Sequence, residues 1–178
     1  MDFRLAAQTD LPRLKAMYRR LIEHMDQNGV SIWDDVYPCE YLAGDIADGA
    51  LHVLADGDHI AAAFALCESN DGAVHVTWQD ARARALYLDR FGVNVDDLRR
   101  GVGSTMLHCA MDVARQKGAA YLRLFVVDIN LPAIRLYRKN GFQQADGVYE
   151  EVIDDDFALR EYGFEIELLK DSSMMKGS

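Results

Sequence analysis

Basic residues and proline are scarce in this sequence of 178 residues. Its 19 lysines and arginines face 29 aspartates and glutamates, so the net charge is −10. Such a surface disfavours nucleic acid as a partner, because phosphate binding needs a basic face, whereas a cationic amine would be attracted. With only three prolines and no repeats or low-complexity linker, we expect one domain over 1–170, followed by a disordered tail over 171–178.

Cysteine is also rare, and the pattern of the cysteines excludes two kinds of small domain. Cys39, Cys67 and Cys109 are widely spaced and form no CxxC pair. This argues against both a disulfide framework and a zinc site. The five histidines show no HxH or HExxH spacing, so we expect no metal. Three unpaired cysteines are typical of a reducing, cytoplasmic environment.

Long apolar runs are missing as well. No stretch approaches the roughly 18 apolar residues that suggest a transmembrane helix. The first residues, MDFRLAAQTD, have neither the basic start nor the apolar stretch of a signal peptide. We therefore expect no membrane partner.

The patterns that are present indicate a mixed α/β (α+β) fold. Apolar residues recur at helical spacing over 11–25 and 103–117, whereas strand patterns precede and separate these helices. The expected element order is β-α-α-β-β-β-β-α-β-α-β-β. The strands include a hairpin around the turn Asp56-Gly57-Asp58, the segment AVHVTW at 73–78, 85–93, 121–127 and a C-terminal hairpin. Meandering strands followed by βαβ crossovers predict a mixed sheet with helices packed on it.

A glycine-rich segment, LRRGVGS, lies between a predicted strand and a predicted helix at 98–104. Gly101 and Gly103 allow a tight turn and a close backbone approach to a ligand, and the free N–H groups of the next helix form an anion site. Arg99 and Arg100 would add charge for phosphates. The alternative is an ordinary glycine turn before a helix. A dinucleotide loop is disfavoured, because its third glycine would stand at Met106.

A second segment follows the glycine-rich one after a helix and a strand. From Asn130 to Phe142 the sequence reads N-x-x-A-x-x-L-Y-x-x-x-G-F. The two segments together resemble the [Q/R]-x-x-G-x-[G/A] motif and the following helix of the GNAT (Gcn5-related N-acetyltransferase) superfamily. Leu98 departs from that pattern, since the family usually has Gln or Arg there. The sequence therefore does not indicate how tightly the cofactor would bind.

The resemblance implies a fold, an activity and a set of cofactor contacts. It implies a mostly antiparallel mixed sheet of six to seven strands, splayed in a V between its central strands and flanked by about four helices. It also implies acyl transfer, expected to be acetyl, from coenzyme A to an amine, with acetyl-CoA as co-substrate. The positions expected to hold the cofactor are then Phe91, Gly92, Val93, Arg99, Arg100, Gly101, Val102, Gly103, Ser104, Asn130, Ala133 and Tyr137.

Two side chains are candidates for proton transfer. Tyr137 stands where the family often has a general acid for the departing thiolate, and a hydroxyl near sulfur could protonate it. The alternative is a packed core tyrosine. Asp89 lies on the strand that the resemblance places beside the thioester, where it could act as a base directly or through water; alternation predicts that Tyr87 and Phe91 share its face. The alternative is a charged strand residue in a surface ion pair.

The acceptor site is the least specified part. In the family it is built from the first helices and the final hairpin, which here implies Trp33, Asp34, Tyr37 and Tyr149, with Asp35, Tyr41 and Glu151 nearby. Aromatic rings with carboxylates would suit a cationic amine, although the same residues could pack a loop over the core.

Two other classes of protein remain as alternatives. One is a CoA-binding sensor or scaffold without transferase activity, because a fold alone does not establish function. The other, a flavodoxin-like nucleotide-binding protein, is disfavoured by strands over 51–93 that run without a helix. A homodimer formed through the C-terminal hairpin is an expectation by analogy.

Overall fold

The computed structural model describes residues 1–169, so the predicted tail lies outside the described residues. Four α-helices and eight strands form within this range. The strands are β1 Asp2–Leu5, β2 Leu51–Asp56, β3 His59–Cys67, β4 Ala85–Val93, β5 Tyr121–Val127, β6 Gln143–Gln144, β7 Tyr149–Asp154 and β8 Phe157–Glu167. The helices are α1 Leu11–Gln27, α2 Leu42–Ala47, α3 Val102–Gln116 and α4 Leu131–Lys139.

The strands form one mixed sheet in the order β1-β2-β3-β4-β5-β8-β6, and β7 also pairs with β8. β4 and β5 are parallel, and the other strand pairs found in residues 1–169 are antiparallel. This architecture confirms the predicted fold class. One observed strand was not predicted. It is the two-residue β6, which is too short to show an alternating pattern in the sequence.

The predicted strand AVHVTW is wrong. Residues Asp71–His75 form a 3-10 turn, and only Thr77 makes a β-bridge, with Asp146. No place for another strand exists at this point of the sheet, because β3 and β4 pair directly with each other. The segment instead crosses one face of the sheet, where the absence of a side chain at Gly163 leaves room for Trp78.

Each face of the sheet carries its own apolar core. On one face, Met106, Leu107 and Ala110 of α3 pack with Tyr137 of α4 against the central strands. On the other face, side chains of α1 and α2, including Leu14, are buried against β2 and β3. The helical apolar stripes predicted for the first and third helices are therefore buried faces, as their spacing indicates.

The two central strands diverge at the middle of the sheet. Their pairing ends at Leu88 and Leu124, although β4 continues to Val93 and β5 continues to Val127. β5 remains paired with β8 along its whole length. The V-shaped splay that the resemblance implies is therefore present, and it opens a gap bordered by unpaired edges of β4 and β5.

A bulge in β4 changes which residues border each side of the gap. Arg90 and Phe91 lie opposite a single residue of β3, and Arg90 has a left-handed φ of 52°. An inserted residue reverses the alternation of side chains. Tyr87 keeps the face of Asp89, but Phe91 turns to the other face and packs against Tyr137, with ring centroids 6.2 Å apart. The predicted shared face is therefore wrong for Phe91.

Candidate active site

The glycine-rich segment forms a turn with free backbone amides at the start of α3. Its backbone is left-handed at Arg99 (φ 61°) and at Gly101 (φ 79°), which is the N-cap of the helix. The amide of Thr105 donates to the carbonyl of Gly101 at 3.1 Å. Within the described chain, no backbone amide of residues 99–104 donates to another residue. A turn of this kind, at the positive end of a helix dipole, favours a phosphate.

The two arginines of this segment differ in their surroundings. Arg100 is exposed, and its guanidinium lies 3.5 Å from the buried carboxylate of Asp97. The same carboxylate lies 2.6 Å from Nε2 of His59. Arg99 is exposed and forms no ion pair with residues 1–169. Both guanidinium groups can therefore reach a ligand at the start of the helix, Arg99 more freely than Arg100.

Gly103 has a packing role rather than a role in the turn. A Cβ atom there would lie 3.0 Å from Cδ2 of Leu136 and 3.7 Å from Cγ2 of Val93. Glycine at this position therefore lets α3 approach α4 closely. Ser104, the next residue, accepts a hydrogen bond from Nδ2 of Asn140 at 3.1 Å. These contacts hold the two helices together beside the gap.

The edge of β4 beyond the bulge offers backbone groups to the gap. Gly92 pairs with Ala63 of β3 on one side, whereas its other side faces the gap. A Cβ atom at Gly92 would lie 2.8 Å from the ring of Tyr18, which explains the glycine. Residues 91–93 therefore form a strand edge that is unpaired on the side of β5, and their binding of the cofactor stays a prediction.

Asn130 begins α4 at the end of β5. Its Oδ1 accepts a hydrogen bond from the amide of Ala133 at 3.4 Å, which makes it the predicted N-cap. Only the Nδ2 group of its side chain then remains for a ligand. Ala133 is half-buried on the first turn of the helix, so both residues border the gap where β5 ends.

Tyr137 is buried, but its hydroxyl is unpartnered. The residue is 6% exposed, and its ring packs against Phe91, Phe142 and Phe164. Every fully enclosed side-chain nitrogen or oxygen in residues 1–169 has a partner, and the Tyr137 hydroxyl has none there, so it borders open space. Burial and then the negative charge of Asp89 raise the pKa of Tyr137. The hydroxyl therefore stays protonated, and the charge of Asp89 on the other side of the gap contributes to this.

Asp89 lies on β4 immediately before the bulge. Its Oδ1 accepts a hydrogen bond from Nδ2 of Asn70 at 3.2 Å. Burial raises the pKa of Asp89, while the positive charge of Arg90 opposes the rise. Asp89 is half-buried and forms no ion pair within residues 1–169, which disfavours the alternative of a surface ion pair. A carboxylate that is more basic than usual, close to a tyrosine hydroxyl, can accept a proton from a substrate.

A buried ion pair flanks Asp89 on the same face. Nε and Nη2 of Arg90 donate to the two carboxylate oxygens of Asp45 at 2.5 and 2.8 Å. The side chains are 8% and 13% exposed. Sγ of Cys67 lies 3.6 Å from Nη2 of Arg90, and burial, followed by the charge of Asp89, raises the pKa of Cys67 to about 12. This thiol stays protonated at neutral pH and is a poor nucleophile.

Glu161 was missed from the sequence, and the structure places it beside two predicted residues. It lies on β8, opposite Tyr149 of β7 and opposite Val127, where β5 ends. Glu151 is its diagonal neighbour on the same face, within reach of a long side chain. Burial, then the charge and hydrogen bond of Glu151, and then the charge of Asp89 raise the pKa of Glu161 to about 8. Glu161 and Glu151 thus form an acidic pair beside the gap, and the charge of Asp89 on β4 adds to it.

The aromatic residues predicted for the acceptor site form a connected row. The ring of Trp33 lies 6.1 Å from that of Tyr37, which lies 5.4 Å from that of Tyr41. The guanidinium of Arg90 is 5.4 Å from the centre of the Tyr41 ring. Burial and then the charge of Asp89 raise the pKa of Tyr37. The structure therefore brings Tyr37 to the acidic group, with Trp33 and Tyr41 behind it.

Asp34 has a different role from the one predicted. Its Oδ1 accepts hydrogen bonds from the amides of Val36 at 2.8 Å and Tyr37 at 2.7 Å. The residue is exposed and lines a surface recess with Arg19 and Asp35. Asp34 therefore fixes the turn that carries Tyr37, and it lies outside the group of side chains around Asp89.

Tyr149 lies at the rim of the acidic group. Its ring stacks on His75 at 4.9 Å and meets Phe125 edge-on at 5.9 Å. A Cβ atom at Gly72 would lie 2.8 Å from the rings of Phe125 and Tyr149. The crossing segment that was predicted as a strand therefore closes this side of the site.

These features define a class of protein. A turn with free backbone amides at a helix start lies at one end of an opened strand pair, a protonated tyrosine borders the gap, and an acidic group lies on the opposite face. The arrangement suits an extended phosphorylated thioester entering from one side and a cationic acceptor entering from the other. The chain belongs to the acetyltransferase (GNAT) family, whose model matches residues 18–142, and members of this family use acetyl-CoA.

Two curated relatives share parts of the sequence. Streptothricin acetyltransferase of Streptomyces lavendulae is 44% identical over 43 residues, which are 24% of this chain and 23% of the relative. Thialysine N-epsilon-acetyltransferase of Bos taurus is 31% identical over 77 residues, or 43% of this chain and 45% of the relative. The matched segments thus span a quarter to nearly half of these relatives.

Solved structures share the fold over nearly the whole chain. An acetyltransferase of the GNAT family from Streptococcus agalactiae superposes with a TM-score of 0.78 at 18% identity, covering 95% of this chain and 96% of that one. A protein from Salmonella typhimurium, solved with its cofactor acetyl-CoA, superposes with a TM-score of 0.67 at 16% identity, covering 95% and 94%. At these identities the likeness shows the fold.

The described residues also limit two other kinds of site. None of the helices in residues 1–169 combines the length and apolar character needed to cross a bilayer. In the same range, no group of three or more His, Cys, Asp or Glu side chains is arranged to hold a metal ion.

Proposed function

We propose that this protein is an acyl-CoA-dependent N-acyltransferase that transfers acetyl from acetyl-CoA to a primary amine by direct attack in a ternary complex. The observation that carries the proposal is the unpartnered hydroxyl of Tyr137, a residue that is only 6% exposed and whose hydroxyl borders the open gap of the sheet. A core tyrosine with no ligand to serve would be expected to pair its hydroxyl within the protein.

The cofactor side of the proposal has the parts that an acyl-CoA needs. The amides of residues 99–104 and the two arginines would hold the pyrophosphate, and the unpaired edge of β4 at 91–93 would hold the extended arm. Asn130 Nδ2 and the first turn of α4 would border that arm. When bound, acetyl-CoA supplies a thioester whose carbonyl carbon an amine can attack.

The two side chains facing each other across the gap would divide the proton transfers. The neutral amine nitrogen forms a bond to the carbonyl carbon, and the carbon–sulfur bond breaks. Tyr137 then donates its proton to the departing sulfur, for which its raised pKa keeps it protonated. Asp89 accepts a proton from the amine, directly or through water, for which burial makes it more basic than usual. Holding the two reactants together supplies much of the rate.

The acceptor side is expected to select for positive charge. Tyr37, Trp33 and Tyr149 would offer aromatic faces, and Glu151 and Asp89 would offer carboxylates. The bovine relative is named for acetylation at the N-epsilon position of thialysine, which fits a terminal amine as acceptor. The three cysteines are free, which supports a reducing, cytoplasmic location. A homodimer stays a prediction.

Replacing Tyr137 by Phe tests the proposal. Turnover should fall on the order of ten- to a thousandfold, because the thiolate loses its proton donor, while affinity for acetyl-CoA stays unchanged. The measurement is thiol release from acetyl-CoA with a panel of amines, together with calorimetric titration of CoA. Tyr87→Phe is the control, since Tyr87 is equally buried but packs with Trp78 away from the gap. Unchanged turnover in Tyr137→Phe would exclude Tyr137 as the acid.

The same assay separates the enzyme from the alternative. CoA binding without amine-dependent thiol release, across mono- and diamines, would favour a CoA-binding sensor or scaffold. Absence of CoA binding would show that the glycine-rich segment is an ordinary helix start.

A further inference from the structure

Glu151 and Glu161 form an acidic pair with no basic partner. Within residues 1–169 neither carboxyl makes an ion pair with Lys, Arg or His. Arg160, the residue before Glu161, has its guanidinium 3.7 Å from the carboxylate of Asp128 instead. Arg90 is bonded to Asp45 through both Nε and Nη2. The nearby cations are therefore committed elsewhere.

The register of the strands fixes where this pair lies. Glu161 is next to Val127, the last residue of β5, and so lies where the gap is widest. Glu151 is on the neighbouring strand β7, on the same face of the sheet. Asp89 is on β4, across the gap from β5. The acidic pair and Asp89 thus occupy separate strands on the two sides of the opening.

An independent observation indicates that the opening receives a ligand. Tyr137 is only 6% exposed, and its hydroxyl has no hydrogen-bond partner within residues 1–169. Tyr137 approaches the opening from the opposite face of the sheet, and the charge of Asp89 reaches its hydroxyl. On the other face, Asp89, the unpaired end of β5 and the acidic pair follow one another across the sheet.

The charge in this space is unbalanced. The titratable groups around Glu161 come from several elements: Glu151 and Tyr149 on β7, His75 stacked on Tyr149, and Asp89 on β4. Three carboxyl groups thus stand against one imidazole, because the guanidinium of Arg90 beside Asp89 is already paired with Asp45. Like charges this close cannot both ionise at low cost, so one carboxyl keeps a proton until a cation arrives.

We propose that Glu151 and Glu161 bind a second ammonium group of the acceptor, so that the preferred acceptor is an aliphatic diamine whose other amino group lies between Asp89 and Tyr137. This rests on the proposed function for the reacting end of the acceptor. The distal ammonium replaces the proton shared by the two glutamates and donates charge-assisted hydrogen bonds to both. The proximal amino group gives up its own proton and attacks.

Two measurable consequences follow from this arrangement. A distal contact made equally in the ground state and the transition state lowers KM and leaves kcat little changed. The pKa of Glu161 is raised to about 8 in the free protein, so at pH 7 a bound ammonium should release about one proton that a monoamine does not release.

The test compares 1,5-diaminopentane with pentylamine, which differ only in the second amino group. Calorimetric titration of each amine into the CoA-saturated protein at pH 7, in phosphate and in Tris buffer, gives affinity and proton release. We expect the diamine to bind on the order of ten- to a hundredfold more tightly. In Glu161→Gln and Glu151→Gln this preference should fall by about tenfold or more, because the affinity for the diamine falls much further than the affinity for pentylamine. Glu150→Gln is the matched control, because Glu150 is exposed on the other face of β7.

Each outcome decides the proposal. Equal binding of the two amines, binding of neither, or a preference that survives in Glu161→Gln would overturn it. Unchanged affinity for acetyl-CoA in the variants shows that they remain folded. Thiol release measured in parallel keeps the two proposals apart: acetylation of both amines without preference leaves the transferase and removes the subsite, whereas diamine-selective binding without thiol release supports the subsite and removes the transferase.

Discussion

The two sides of the gap are built from different parts of the polypeptide. On the cofactor side the groups are mainly backbone amides, from the consecutive residues 99–104 and from the β4 edge at 91–93. On the acceptor side the groups are side chains from separate elements, such as Tyr37, Asp89 and Glu161. Glycine spacing within a few residues is enough to indicate a site made of backbone groups. A site made of side chains forms only when separate strands come together.

The difference also extends to what stabilises each side. α3 and α4 meet through apolar side chains and the close approach at Gly103. On the acceptor face, the buried Arg90–Asp45 pair lies beside Asp89 and holds α2 against the bulge of β4. Removing one member of a buried ion pair leaves the other uncompensated, and the loss is larger than the pair's net contribution.

Asp45→Asn should therefore have the largest effect on stability. We expect a loss of about 3 kcal/mol in the free energy of unfolding, because the buried guanidinium of Arg90 loses its counter-charge. Urea unfolding measures this. Asp48→Asn, in the exposed residue just after α2, is the control and should change stability by less than about 0.5 kcal/mol. A loss below about 1 kcal/mol for Asp45→Asn would mean that apolar packing dominates on both faces.

Arg99→Ala and Arg100→Ala test whether backbone amides or side chains dominate on the cofactor side. If backbone amides carry most of the phosphate binding, each change should weaken CoA by only about tenfold, or roughly 1.4 kcal/mol. Arg100→Ala should have the smaller effect, because its guanidinium is already shared with Asp97. Calorimetric titration of CoA measures both, with the exposed Arg82→Ala as control. Loss of all detectable binding in either variant would assign the site to the arginines.

Glu161→Gln should have the smallest effect on stability, and the size of this effect depends on pH. The folded-state pKa of Glu161 is raised to about 8 from 4.5. Protonation of Glu161 therefore stabilises the folded state fully below the pKa of this group in the unfolded chain. This stabilisation is lost as the pH rises through the folded-state pKa. Glutamine imitates the protonated acid, so the variant should match the parent near pH 5 and melt a few degrees higher near pH 8.5, by about 2–4 °C.

Thermal unfolding at the two pH values checks this prediction, with Glu150→Gln as the control. A variant that is equally stable at both pH values, relative to the parent, would show that Glu161 ionises normally. The acceptor side would then lack the crowded charge that distinguishes it from the cofactor side.

Local sequence patterns predicted several elements closely. The β-branched and aromatic run at 121–127 is β5, and Asn130 caps α4 as its position before Pro132 indicates. The turn at Asp56-Gly57-Asp58 joins β2 and β3. These features depend on interactions between residues close in the chain, so the pattern contains the information that decides them.

The errors share a cause in long-range structure. Apolar and polar residues alternate in AVHVTW as they do in a strand. Because β3 pairs directly with β4, however, this segment has no neighbouring strand to pair with. Phe91 faces away from Asp89 because a bulge at Arg90 reverses the alternation, and no local pattern announced that bulge. Asp34 was chosen for its charge, yet its carboxylate is used by the turn beside it.

Glu161 is the most instructive omission. In β8, Glu161 and Glu165 alternate with Tyr162 and Phe164, so the sequence did indicate one acidic face. It could not indicate that Glu165 would be buried with Arg123, at 3.1 Å, while Glu161 would meet Glu151 and lack a cation. Which partner a carboxylate finds depends on the order of the strands.

The sequence by itself determined most element types, the glycine-rich start of α3 and the family resemblance, because each depends on backbone propensity and spacing within a short segment. Only the tertiary structure decided how the acceptor side is formed. The parallel pairing of β4 and β5 that stops at Leu88, the bulge at Arg90 and the position of β8 bring Tyr137, Asp89 and Glu161 around one gap. Electrostatic interactions between them depend on distance in space, and residues 89, 137 and 161 become neighbours only in the folded sheet.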